Sequence, residues 1–295
     1  MDVLHEGLGM GSKPEYVAVY GGDHSAWVQA VLLALYDKNI FHSVATMPSP
    51  KLFVQSGILM PAVRFDGGVW EMESQEILCK LGYERLSDDD MLAIYRALRG
   101  GVHRIDSLRQ FWWAWGSLRD LRLSLFFRLT NSFLRPFTVL YFYLGLKRLG
   151  KNEKTSPSPE NLERQYLYWE EQLENSSGPF LDGDVPGARD FFLFGGIQCH
   201  TSIAVPAVLV LQSSPMLVRV REWISVMQKR FEGYEHLYSG QYFAPQMPGP
   251  ESSGRCERLT FILGTIVFAL VLPIAIQLAR YFFRRVRRKR VKSLL

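Results

Sequence analysis

Cysteine is scarce in this chain: Cys79, Cys199 and Cys256 stand far apart among 295 residues. Three separated cysteines form neither a disulfide framework nor the paired spacing of a zinc site, so a reducing compartment is the natural setting. Histidine clusters are missing too. His103, His200 and His236 are isolated, and Cys199-His200 is only an adjacent pair, which argues against a metal enzyme. The opening MDVLHEGLGMGSKPE has early acids and no apolar run. That excludes a secretory signal and predicts a disordered stretch over 1–15. No internal repeat is found. The stretch from Arg280 to Leu295 contains eight Lys or Arg and no acid. The rest of the chain carries 26 basic against 29 acidic residues, net −3. The overall +5 therefore belongs to the tail, and nothing demands the basic patch of a nucleic-acid-binding body.

What is present at that end is a long apolar run. Leu259 to Ala279 reads LTFILGTIVFALVLPIAIQLA, twenty-one residues without a charge. A helix of that length spans about 30 Å, the hydrocarbon thickness of a bilayer. Pro273 is tolerable in such a helix. Tyr281, Phe282 and Phe283 follow as an interfacial aromatic group, then RRVRRKRVK at headgroup level. The sequence predicts an anchor over 259–283, a basic tail over 284–295, and the lipid bilayer as partner of Leu259–Phe283. A single C-terminal span favours a body in the cytosol, while the positive-inside tendency pulls the other way. The basic tail resembles those of tail-anchored mitochondrial outer-membrane proteins, and the endoplasmic reticulum stays open as well.

The body changes character near residue 83. Tyr16–Tyr20 reads as a buried strand, Ala26–Asp37 as a helix with apolar spacing, Phe41–Thr46 as a second strand and Pro61–Phe65 as a third. Asp66-Gly67-Gly68 turns the third into a fourth over Val69–Met72, and a helix opens at Ser74. This βαβ–ββα order is that of a thioredoxin-like domain over 16–83. An all-α domain is expected over 88–246, with helices at Asp88–Gly100, His103–Leu129, Leu162–Leu173, Asp190–Cys199 and Met216–Phe231. A polar loop is expected at 151–161 and a flexible linker at 247–258.

Three short motifs in this order resemble the glutathione transferase superfamily. In GGDHSAWVQAVLLALYDKNI (21–40), Ser25 matches the catalytic Ser or Cys at the start of the first helix. The positive potential of a helix N-terminus favours a thiolate there, although a serine at this place is equally an ordinary cap. His24 is at least as much a loop residue. In GILMPAVRF (57–65), the resemblance implies a cis bond at Pro61 and a backbone contact from Met60 to the cysteinyl part of glutathione. In WEMESQEIL (70–78), it implies that Glu73 meets the ligand ammonium and that Ser74, as a helix cap, meets the γ-glutamyl carboxylate. A fourth segment, GPFLDGDVPGARDFFLFGG (178–196), resembles the family's capped core helix, with Asp190 present and Gly187 where the cap Ser or Thr belongs. The implied fold is a thioredoxin-like α/β domain, an all-α helical-bundle domain and one C-terminal transmembrane helix. The implied co-substrate is glutathione, with no metal, and a homodimer is an implied assembly.

The middle of the chain supports two readings. Pro136–Leu146 is uncharged but too short to span, with Arg119, Arg122, Arg128 and Arg135 before it and Lys147-Arg148 after it. It is read first as part of the helices lining a hydrophobic-substrate groove and subunit interface, with Trp112, Trp113 and Trp115 as groove wall. The other reading lays it against anionic lipid. Two functions follow. One is a membrane-anchored enzyme conjugating or reducing hydrophobic electrophiles with glutathione. The other is a non-catalytic adaptor using its helical face for partners or lipid. A thiol-disulfide oxidoreductase is set aside, because no cysteine lies near Ser25 in sequence.

Overall fold

The computed structural model describes residues 14–56, 59–102, 109, 112–113, 116, 118–119, 124–152, 162–202, 208–238, 243 and 251–292. The chain forms two compact units, each discontinuous in sequence: Met1–Arg104 with Pro157–Gly249, and Ile105–Ser156 with Pro250–Leu295. The helical half read as 88–246 is thus interrupted, because 105–156 associates with the C-terminal helix.

In the first unit, β1 (Tyr16–Tyr20), β2 (Phe41–Ala45) and β3 (Ala62–Phe65) form a sheet in the order β2-β1-β3. β1 pairs parallel to β2, through the crossover helix α1 (Ala26–Asp37), and antiparallel to β3. After the short α2 (Pro50–Ser56) and β3, the chain reverses at Asp66 and Gly67, both at positive φ, and Gly68 N–H donates to Phe65 O at 2.8 Å. That is the backbone of a tight hairpin turn, and it needs residues tolerant of the left-handed region. Asp66 Oδ1 also accepts the Glu15 and Tyr16 N–H groups at 3.0 and 2.9 Å, fixing the start of β1. The expected fourth strand contracts to one bridge, Val63–Glu71. The chain turns at Glu73 into α3 (Ser74–Lys80), so a longer ladder has no room.

Ala26 and every residue from Val28 to Leu35 are buried, so α1 is apolar nearly all round, as befits a helix covered on more than one side. It packs against α3, β2 and α7 (Ala188–Ser202), which comes so close that a Cβ on Gly195 would lie 2.5 Å from Ala26 O. α4 (Asp88–Val102) and α6 (Leu162–Glu174) pack together, and α4 also meets α7. α9 (Val218–Arg230) packs on α6 and on the short α8 (Leu209–Ser213). Tyr166, Trp169, Phe191, Phe194 and Trp223 fill the centre of this core.

The departure at Gly187 has a physical reason. A side chain there would strike the Asp182 carboxylate. Asp182 Oδ2 instead accepts the Arg189 N–H in the first turn of α7, supplying from a distance the cap that serine would have given. Asp190 accepts the Gly187 N–H at 3.0 Å, completing the other half of the box.

The second unit is built on α5 (Leu125–Asn152) and α10 (Arg255–Lys292), with β4 (Leu118–Arg119) antiparallel to β5 (Glu251–Ser252). Two expectations change here. The helix read over 103–129 is interrupted by β4, and the linker at 247–258 gives way to β5 and the first turn of α10. Glu257 starts that helix, accepting the Gly254 N–H at 2.6 Å while Arg128 reaches its other oxygen at 3.5 Å. Farther along, a Cβ on Gly264 would collide with the Phe133 backbone, and the Phe137 and Phe268 rings meet at 4.5 Å. Residues 128, 133 and 137 thus face 257, 264 and 268 in turn, so α5 and α10 run parallel. α10 contains the one stretch, among the described residues, long and apolar enough to cross a membrane.

Candidate functional site

Ser25 is the N-cap of α1, in extended conformation, half-buried, and its hydroxyl makes no capping bond. The turn before it is tight: Ser25 N–H donates to Gly22 O at 2.9 Å. Gly21 has φ +151, and a Cβ there would lie 2.5 Å from Val28 and 3.3 Å from the Met60 Cβ. Glycine is therefore what lets this turn press against Met60. The Met60–Pro61 bond is cis, as the resemblance implied. Met60 folds its thioether onto the Gly22 N–H at 3.4 Å, and the His24 ring lies over Gly22 as well.

Glu73 joins them through the sheet. Val63 and Glu71 exchange both backbone bonds, at 2.7 and 2.8 Å, and this antiparallel register carries Glu73 to the level of Pro61. Glu73 itself is the N-cap of α3, exposed and with no capping bond. Ser74, expected as the cap, is the first helical residue and half-buried. The turn at 21–25, the cis bond and the start of α3 thus border one region of the first unit. Trp112 and Trp113 belong to the second unit. The Trp112 indole N–H donates to Thr265 Oγ1 at 3.2 Å, and its ring lies 6.1 Å from Phe261 and 6.3 Å from Phe268. Trp113 also meets Phe261. Trp115 lies outside the described residues.

Behind Ser25 is a polar network that the sequence did not suggest. Asp23 is 4% exposed. Its carboxylate accepts the Tyr238 hydroxyl at 2.7 Å and faces His236 Nδ1 at 3.2 Å. The Gln29 amide donates to His236 O at 2.6 Å and to Asp23 O. Next to it, His42 Nε2 and the Tyr234 hydroxyl lie 2.7 Å apart. Burial lowers the His42 pKa, the His236 side lowers it further, and the Ile40 carbonyl and Glu235 pull upward. The candidate turn is in this way tied to residues 234–238, two hundred positions away. Only Asp23, inside the GGDHS turn, carried a sequence signal.

Cys199 is also closer than its number suggests. It sits on α7 against the start of α1. Burial pushes its thiol up to about 12, with a hydrogen bond from the Ala26 backbone acting the other way. A thiol held protonated is a poor nucleophile. Among the described residues no group of three or more His, Cys, Asp or Glu is arranged to hold a metal.

A mixed sheet with a cis proline before its antiparallel strand, followed by a helical core, now stands complete. This is the order of an α/β domain followed by helices that the sequence led one to expect. Among solved structures, a glutathione transferase from Rhodospirillum rubrum aligns over 83% of this chain and 99% of its own at 10% identity, TM-score 0.42. One from Bombyx mori aligns over 76% and 92% at 14% identity, TM-score 0.41. A theta-class glutathione transferase from Xanthomonas axonopodis, with glutathione bound, aligns over 74% and 94% at 13% identity, TM-score 0.37. No protein-family model matches the sequence, and no curated protein sequence matches it.

Proposed function

We propose that the first unit binds glutathione between the 21–25 turn, the Met60–Pro61 bond and the Glu73–Ser74 helix start, and that Ser25 serves its sulfur. In this reading the protein conjugates or reduces hydrophobic electrophiles while α10 holds it to a membrane. The observation that carries the reading is the uncommitted Ser25 hydroxyl. It stands at the positive end of a twelve-residue helix with no capping duty, where a thiolate is favoured over a thiol. Glu73, also without a capping bond, is available to an ammonium group. Apolar electrophiles partition into lipid, which gives an anchored enzyme its supply.

A non-catalytic adaptor is the second reading, and one observation favours it. The Met60 thioether and the His24 ring both crowd Gly22, taking space beside the turn.

Calorimetric titration of the full chain in detergent with glutathione separates the two. The enzyme reading expects binding, and expects Ser25→Ala to lower kcat/KM for an aryl halide or hydroperoxide about 10²-fold with little change in melting temperature. Absence of both binding and turnover retires it. Equal rates in Ser25→Ala and the parent chain remove Ser25 from the site.

A further inference from the structure

The two units carry opposite charge. The first holds 15 Lys and Arg against 24 Asp and Glu, net −9; the second holds 19 against 5, net +14. Only eight of those 19 lie in the tail beyond residue 279, and residues 105–156 alone have nine against three. Basicity is therefore a property of the whole second unit, α5 included.

α5 also exposes large apolar side chains, of which Phe137 at the same time meets Phe268 of α10. Phe126 is 72% exposed, Phe127 52%, Phe137 41% and Leu134 36%. At about 100° per residue these four fall within an arc of about 100°. Ser132, Pro136 and Val139, on the opposite side, are buried. α10 repeats the arrangement: Leu259, Ile262, Leu263, Ile266 and Leu270 are exposed along one side, while Glu257, Gly264 and Phe268 are buried toward α5 and Phe261 is buried against Trp112 and Trp113. Beside this outer face, Trp112, Trp113 and Arg109 border a hollow of about 650 Å³ floored by Ile262, Thr265 and Ile266. Tryptophan and arginine around an apolar floor suit the boundary between headgroups and acyl chains.

Connectivity decides how deep α5 can go. The chain leaves the first unit at residue 104 and rejoins it at 157. The longest uncharged stretch between them is Pro136–Leu146, eleven residues, where a crossing needs about 20. The stretch between residues 104 and 157 therefore holds no segment that crosses by itself.

We infer that α5 is a second membrane-contacting helix, laying Phe126, Phe127, Leu134 and Phe137 into the anionic leaflet in which α10 begins, without crossing it. The inference rests on the attachment through α10 proposed above. An anionic leaflet is the occupant because it offers both an apolar interior for four large side chains and a negative surface for the eleven Lys and Arg, against five acids, that the second unit holds outside the tail beyond residue 279.

The test reconstitutes the full chain into vesicles of phosphatidylcholine with phosphatidylserine. A single cysteine bearing an environment-sensitive fluorophore is placed at 126, 137, 263 or 41, with Cys79→Ser, Cys199→Ala and Cys256→Ser. Quenching by a lipid nitroxide high in the acyl chain should be at least twofold stronger at 126, 137 and 263 than at 41. Strong quenching at 263 with none at 126 and 137 overturns the inference and leaves the attachment standing. No quenching at 263 removes the attachment and, with it, the inference. The unsubstituted chain gives an independent readout, in which a photoactivatable phosphatidylserine should crosslink to the peptide containing 125–137. Crosslinks confined to α10 count against it.

Discussion

At the residue scale, Asp190 is the most heavily committed side chain in the first unit. It is fully buried and accepts the Leu181 and Gly187 N–H groups and the Trp223 indole N–H, at 2.8, 3.0 and 2.7 Å. Asp190→Ala would orphan these donors and should cost roughly 3 kcal/mol or more, read as a fall in the unfolding midpoint. Burial nonetheless raises its pKa from 3.8 to about 6, against the pull of those three bonds. The folded state then holds the proton more tightly than the unfolded chain. Its contribution is full below about pH 4 and is lost as pH rises through about 6, a change on the order of 3 kcal/mol. His42 tilts the other way. Its pKa is lowered, so its contribution is present above the ordinary 6.5 and fades as pH falls below it. Melting the chain in detergent between pH 4 and 7 should show Asp190→Asn losing the first trend and His42→Gln the second. Profiles parallel to the parent chain would contradict both assignments. The helix starts at Ser25 and Glu73 were legible in the sequence because apolar spacing marks α1 and α3, whereas the roles given to those two residues came from the resemblance alone. Asp23's partners were not, since Gln29, His236 and Tyr238 meet it only through folding.

At the element scale, α5 and α10 approach closely at Gly264. Any side chain there meets the Phe133 backbone, which cannot yield as a flexible side chain would. Gly264→Leu should therefore separate α5 from α10. Limited proteolysis should then cut within 125–152 at least tenfold faster, while cleavage within the first unit stays unchanged; an unaltered digestion pattern would argue against the helix pair. Breaking the Arg128–Glu257 pair from one side, by Glu257→Ala, should destabilise the same interface by about 3 kcal/mol, since both side chains are largely buried. β1, α1, β2 and the hairpin turn could be read from the sequence because their signals are local: strand formers, apolar spacing and two residues tolerant of positive φ. The short fourth strand and the interruption at Leu118–Arg119 could not. Strand pairing depends on a partner, and Glu251–Ser252 lies more than 130 residues from β4.

At the scale of the whole molecule, the sequence reading treated the apolar helix as a separable tail. The structure makes it half of a unit. Deleting 259–295 would strip from α5 the packing at Phe133 and Phe137. The truncated chain should therefore sediment, as aggregate or on membranes, instead of passing into the soluble fraction. A monodisperse truncated protein by size-exclusion chromatography would contradict the pairing. The division of charge was hidden in the same way: an average of +5 conceals −9 and +14, because each unit is assembled from two distant stretches of chain.

The pairing of α5 with α10 also imposes an order on synthesis. α5 emerges from the ribosome about a hundred residues ahead of its companion, and at 5–20 residues per second the interval is roughly 5–20 s. During that time the inner side of α5 faces water while Pro157–Gly249 of the first unit is still being made. A cell making this protein must shelter a half-finished helix pair, through a chaperone or by early contact with lipid, until the second helix arrives.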